Sequence, residues 1–270
     1  MAPRSHDAAR APEASPRDLI ERYRRARRDQ GRAVLEGFHA IKHAIRFQAE
    51  IEDARALDRG ALGELTRCLA PDIEPALHGL VRLVSRAVFA ELAPAPPETG
   101  IIAIATRPAV DLGALLDGPG AAPVVLLEDP GHLGNLGAAV RVAAAAGAAA
   151  VLTTGPQDPW HPAALRGSAG LHFALPVARI QAVPPRRTRP LLAIHPDGEH
   201  LRPDMLAGDA ILAFGSERRG LGDALLAAAD RQIALPMRPG VSSLNLASAV
   251  AAVLYAWRLS GGGGPRRPPD

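Results

Sequence analysis

From Pro123 onward, short runs of β-branched and aliphatic residues alternate with longer stretches whose apolar positions recur every three or four residues. The runs VVLLED, AAVLTT, HFALPVARI, PLLAIHP, DAILAFG and RQIALPM predict strands. The stretches NLGAAVRVAAAAG, HPAALRGSAG, GDALLAAAD and SLNLASAVAAVLYAWRL predict helices. Such alternation predicts an α/β unit, a parallel sheet with helices on both faces. Ahead of it the pattern is less regular. A helical, Arg-studded segment opens at Pro16, residues 33–35 form a short apolar strand, and an amphipathic helix follows with Ile41, Ala44 and Ile45 on one side. HGLVRLVSRAVFAEL reads as a strand edge and a short helix, and TGIIAIA as a compact strand. The chain therefore divides into a disordered start (1–16), a small α/β domain (17–107), a Gly/Pro-rich linker (108–122), a second α/β domain (123–260) and a flexible tail (261–270).

Composition narrows the class. An apolar fraction of 47% is enough for a core, and no segment reaches the roughly 18 uninterrupted apolar residues of a membrane span. The most apolar run, AAVRVAAAAGAAAVL, carries Arg141 within it. Without an apolar leader segment at the start, a cytoplasmic location is expected, and Cys68 alone excludes a disulfide framework or a multi-cysteine metal site. Lys42 is the single lysine among 31 cations, so nearly every positive charge is a guanidinium, the group that matches phosphate bidentately. The cluster RYRRARRDQGR at 22–32 reads either as a solvated helix face or as a footprint for a nucleic-acid backbone.

Three polar, glycine-rich elements fall where strands give way to helices, the edge at which parallel sheets bind ligands. The first, EDPGHLGNLGAAVR, spaces Gly131, Gly134 and Gly137 unlike the dinucleotide fingerprint. It places Asn135 six residues before Arg141, about 120° apart around a helix. The second, FGSERRGLGDALL, presents Gly215, Ser216 and Glu217, with Glu217 free to cap or to face Arg141 across a cleft. The third, LPMRPGVSSLNLAS, puts Gly240, Ser242, Ser243 and Asn245 at a helix mouth. Gly240 would permit close backbone approach, Ser242 or Ser243 would cap the helix, and Asn245 would project from its first turn. His39 and His43 have the spacing of a metal pair but lack a third ligand, so no metal is expected, and His161 and His195 receive no role.

Taken in order, these elements resemble the three motifs of the SpoU (TrmH) family of SPOUT RNA methyltransferases. The matching residues are Asn135 and Arg141 in NLGAAVR, then GSERRGL, then PMRPGVSSLN running into a helix that carries Tyr255. PWHPAALRGSAGLHFALP is similar to the family's middle segment, and residues 17–107 resemble its ribosomal-protein-like RNA-binding domain. The resemblance implies S-adenosylmethionine as methyl donor, a ribose 2′-hydroxyl of RNA as acceptor, ribosomal RNA ahead of transfer RNA, a deep trefoil knot, and a homodimer with a shared active site. It places cofactor contacts at Gly215, Leu235, Met237 and Leu244. It makes Arg141 the candidate for activating the hydroxyl, with Asn135 orienting it, Glu217 balancing its charge, and Ser243 and Asn245 holding substrate or cofactor. A free guanidinium is no base at neutral pH. Arg141 is therefore either strongly perturbed or acts by fixing phosphate and polarising the hydroxyl. Two rival readings are an NAD-dependent oxidoreductase using the first glycine-rich turn and a non-catalytic RNA-binding protein.

Overall fold

The computed structural model describes residues 15–118, 120–185 and 187–261. The irregular stretches expected at 1–16 and 261–270 lie outside the described residues, apart from Ser15, Pro16 and Gly261. Pro16 is already helical: α1 spans Pro16–Ala26, with Ser15 accepting a hydrogen bond from the Asp18 N–H as its cap.

The amino-terminal unit continues with β1 (Arg32–Glu36), α2 (Phe38–Arg46), β2 (Ile51–Ala56), α3 (Arg59–Leu69), α4 (Glu74–Leu80), β3 (Val81–Leu83), α5 (Arg86–Leu92) and β4 (Ile101–Thr106). Its strands lie in the order β1-β4-β2-β3, with β4 antiparallel to both β1 and β2. Alternate side chains leave opposite faces of a strand. Ala33, Leu35, Ile101 and Ala103 therefore join one core, while Val34, Ile102 and Ile104 join another beneath Leu19, Tyr23 and Phe89. Strand β2, IEDARA, has no apolar pattern of its own. Ala54 and Ala56 face the first core, and Asp53 and Arg55 form a buried ion pair on the other side, Nη2 to Oδ1 at 2.8 Å. The Tyr23 hydroxyl donates to Asp53 at 2.9 Å.

The expected linker is not featureless. It contains α6 (Leu112–Asp117), capped by Asp111, and Leu116 is buried. Buried Arg189 donates to the carbonyls of Leu115, Ala122 and Asp209, which ties this helix to the second unit.

That unit comprises β5 (Val124–Leu127), α7 (Leu133–Ala146), β6 (Ala150–Thr153), α8 (Pro162–Gly167), β7 (Val177–Arg179), β8 (Leu191–His200), β9 (Ile211–Phe214), α9 (Asp223–Ala228), β10 (Arg231–Ala234) and α10 (Leu246–Leu259). All six strands are parallel, in the order β10-β8-β9-β5-β6-β7. The inner strands β5, β6 and β9 are buried at every position because both faces are covered. Val125, Leu127, Leu212 and Phe214 pack toward α7 and α10, whereas Val124, Leu126, Ile211 and Ala213 pack toward α6 and α9. One feature departs from regularity. β10 pairs with Leu192 and Ala193 of β8, then skips to Glu199 and His200, so residues 194–198 have no register partner in β10, although Ile194 still pairs with Phe214 of β9.

The two units share a core. The cluster that holds Leu35, Phe38 and Ile41 is continuous with the one that holds Leu136, Val140 and Trp257. Arg107 reaches Asp158 with both terminal nitrogens, at 3.0 and 2.8 Å, and Arg166 pairs with buried Glu36.

Candidate active site

Strand β9 delivers Gly215 to the carboxyl edge of the sheet, and the chain then reverses. Ser216 and Gly220 exchange N–H···O bonds of 3.0 Å, with Gly220 at a φ of +66° that favours glycine. Gly215 lies beneath the returning strand, where a Cβ would overlap Gly220 and the nitrogen of Leu221. Its lack of a side chain serves this chain-to-chain approach.

The loop between β5 and α7 ties the hairpin down. The Gly222 N–H donates to Glu128 Oε2 at 2.6 Å, and Arg219 pairs with Asp129. Glu217 turns its carboxylate inward, accepting from the Gly131 N–H at 3.0 Å and from Asn135 Nδ2 at 2.7 Å. Asn135 Oδ1 accepts from Asn245 Nδ2 at 3.0 Å. Asn245 in turn caps α10, its Oδ1 accepting from the N–H groups of Ala247 and Ser248 at 2.9 and 3.4 Å. One hydrogen-bonded chain thus joins all three sequence motifs. Burial raises the Glu217 carboxyl, but the bonds from Asn135 and Gly131 outweigh it and hold it below the usual carboxylate range, so it stays ionised at neutral pH.

Beside this chain a cavity of about 410 Å³ opens at the carboxyl ends of β8, β9 and β10. Ile194, Phe214, Leu221, Leu235 and Leu246 supply apolar walls, and Ser216, Ser242 and Ser243 supply hydroxyls. Gly215, Leu235, Met237 and Leu244 all line it, as do Glu217 and Ser243.

Arg141 stands apart. It is exposed on α7, away from the cavity lining, and it does not meet Glu217, whose bonds run to Asn135 and Gly131. Its electrostatic neighbours are His39 and Lys42 on α2. Several local expectations are corrected. Asn245, not Ser242 or Ser243, is the cap of α10, and it precedes the helix rather than sitting in its first turn. A Cβ on Gly240 would meet nothing within 4 Å, so its φ of +87°, not close approach, is what favours glycine there. Gly137 lies against α8, where a Cβ would overlap the Ala164 carbonyl, so it serves helix packing rather than a phosphate turn. The 22–32 arginines are largely neutralised: Arg22 and Arg32 pair with Glu52, Arg24 with Glu91, and Arg27 with Glu36.

Sequence reasoning missed the wall formed by Ile194, His195 and Pro196, and it missed Glu128 as the anchor of the hairpin. The signal for the wall was present in AIHP, a histidine and a proline interrupting an apolar strand at the ligand-binding edge.

Comparison with known proteins places these features in a family. Residues 122–255 match the SpoU rRNA Methylase family. An uncharacterized tRNA/rRNA methyltransferase of Synechocystis is 30% identical, over 87% of this chain and 86% of its own. The 23S rRNA (uridine(2479)-2′-O)-methyltransferase of Streptomyces viridochromogenes is 33% identical over 60% of each chain. Among solved structures, an RNA 2′-O ribose methyltransferase superposes with a TM-score of 0.70 at 30% identity, covering 91% of this chain and 97% of that one. The SpoU methyltransferase AviRb from Streptomyces viridochromogenes, in complex with AdoMet, shares the fold with a TM-score of 0.73 at 22% identity, covering 94% and 100%. The cavity, the bonded chain of three motifs and these likenesses agree: the protein belongs to the SpoU family of SPOUT RNA methyltransferases.

Proposed function

We propose that this protein methylates a ribose 2′-hydroxyl of structured RNA, ribosomal ahead of transfer RNA, using S-adenosylmethionine, in the cytoplasm and as a homodimer. The observation that carries the reading is the convergence of Asn135, Glu217 and Asn245, 82 and 110 residues apart along the chain, in one bonded constellation at the rim of the cavity. The 2′-O activity of the Streptomyces relative supports the acceptor.

The cavity suits the donor. Its volume falls within the range of small-molecule sites, and Ile194, Phe214, Leu221 and Leu235 form the kind of wall that takes a flat base and an aliphatic chain. Gly215, Leu235, Met237 and Leu244 would hold it. Bound there, S-adenosylmethionine supplies an electrophilic methyl group. Everything else falls to the chain. Ionised Glu217 fixes Asn135, and Asn135 fixes Asn245 and with it the start of α10, so the cavity rim is positioned before any ligand arrives. Arg141 is exposed, has no carboxylate to neutralise it among the described residues, and lies about 9 Å along α7 from Asn135. Its role in this reading is to hold the RNA phosphate and polarise the hydroxyl.

Shared-site dimerisation is supported by two facts. Arg141 does not reach the cavity of its own chain, and apolar Val241, Leu244, Tyr255 and Leu259 are exposed on and before α10. The deep knot is supported by connectivity. β10 lies at the sheet edge, α10 packs on α7 after the central strand β5, and the chain between them passes the ends of β8 and β9. The amino-terminal unit is read as the RNA-holding domain.

Arg141→Ala is expected to lower methyl transfer to RNA roughly a hundredfold or more, with S-adenosylmethionine affinity by calorimetry unchanged. Arg141→Lys should not restore it, because the planar fork is lost. Mass-spectrometric mapping of ribose methylation, in cellular RNA with and without the gene, identifies the nucleotide. Identical maps overturn the proposal.

A further inference from the structure

Helix α2 of the amino-terminal unit is pinned to the segment after α8, and that segment also packs on α7. His43 Nδ1 lies 2.7 Å from the carbonyl oxygen of Ala169, just past α8. A Cβ on Gly170 would come within 2.6 Å of Ala40 Cα, so only glycine lets the turn after α8 approach α2 this closely. Glu36, at the end of β1 immediately before α2, is held by Arg27 at 2.9 Å and by Arg166 of α8. α8 in turn crosses α7 at glycines, where a Cβ on Gly167 would sit 2.9 Å from the Gly134 carbonyl oxygen.

Across this packing the charge of Arg141 acts on both His39 and Lys42. His39 and Arg141 are exposed, and Lys42 is half-buried. Burial lowers the His39 imidazole first, and the charges of Lys42 and Arg141 lower it further. Burial likewise lowers the Lys42 ammonium, with Arg46 and Arg141 adding to the effect and Asp72 opposing it. The carboxylate nearest this group is already engaged: Asp72 is bound by both Nε and Nη2 of Arg46 at 2.7 and 2.6 Å. Among the described residues, none of His39, Lys42 and Arg141 has a carboxylate ion pair. Elsewhere this chain neutralises its arginines, as in the 22–32 cluster. Gathered like charges raise the energy of the empty protein, and an anion placed among them removes that cost.

Resting on the reading of this chain as an RNA methyltransferase, we infer that His39 and Lys42 join Arg141 in one phosphate-binding site for the acceptor RNA, a site that neither unit builds alone. Arg141 offers a planar fork, Lys42 a compact point charge and His39 a ring N–H, three donor geometries suited to the oxygens of one phosphodiester.

The test is a double-mutant cycle on RNA affinity. Filter binding of radiolabelled 23S ribosomal RNA is measured across a series of KCl concentrations, with S-adenosylmethionine affinity as the check that each variant is folded. Lys42→Gln should weaken RNA binding about tenfold and reduce the salt slope by roughly one. His39→Gln should weaken it less, Lys42→Arg should preserve it, and Arg24→Gln, far from the site, should change nothing. Arg141→Gln added to Lys42→Gln should cost less than the two single losses combined, because both act on one phosphate. Strict additivity, or unchanged affinity and slope in Lys42→Gln, overturns the shared site while leaving the RNA reading intact. A wild-type protein that neither binds nor methylates RNA overturns both.

Discussion

Asn245 works in two directions at once: its oxygen caps α10 while its amide nitrogen donates to Asn135. Asn245→Ala should therefore cost about 1 kcal/mol of stability as a lost cap. Ser243→Ala, at an exposed position that caps nothing, should stay within about 0.5 kcal/mol. Urea denaturation midpoints of the two variants separate the assignments. The same residues mark where the sequence was readable. Asn135, Glu217 and the cavity residues Gly215, Leu235, Met237 and Leu244 were legible because their motifs recur in a fixed order. The choice among Ser242, Ser243 and Asn245 was not legible, since any of them can cap and only the start of the helix, set by packing of Leu246, decides. His195 went unassigned because a lone histidine carries no spacing.

At the level of elements, the periodic carboxy-terminal strands and helices were readable and β2 was not. Its Asp53 and Arg55 occupy positions that normally announce burial by being apolar, and their mutual pairing beneath Tyr23 substitutes for that signal. Helix α6 was hidden in the same way by the Gly/Pro-rich context around it. The crossing of α7 and α8 shows which of two opposing terms wins. Gly137→Ala would gain about 1 kcal/mol of helix propensity. The new Cβ, however, would overlap the Ala164 carbonyl and lie 2.9 Å from Gly167 Cα, and overpacking of this kind costs roughly 1–3 kcal/mol. Net destabilisation is expected, read as a lower thermal midpoint. A midpoint equal to or above wild type would mean that the crossing relaxes freely.

Across the whole molecule, the docking of the two units left no trace in the sequence. Its contacts link positions 36 with 166 and 107 with 158, separations at which no local pattern exists. At this seam His172 is fully buried, its Nδ1 at 2.7 Å from Ser168 Oγ and its Nε2 at 2.8 Å from the Pro159 carbonyl oxygen. Burial pushes its pKa down to about 4. The unfolded chain takes up a proton near pH 6.5 while the folded one does not, so stability is full above that pH and falls as acid is added down to about 4. The loss is on the order of 3 kcal/mol. His172→Gln should be less stable at pH 7 yet show a flatter decline between pH 6.5 and 4 in urea midpoints. A decline as steep as wild type would assign the acid sensitivity to other groups. Gln232 and Ile233 are neighbours, whereas their partners in β8, Ala193 and Glu199, are six positions apart. Five residues of β8 lie between those partners without a register partner in β10, and three of them, Ile194, His195 and Pro196, wall the pocket. The bulge in β8 thus supplies one wall of the cavity while Ile194 keeps its pairing with Phe214 of β9.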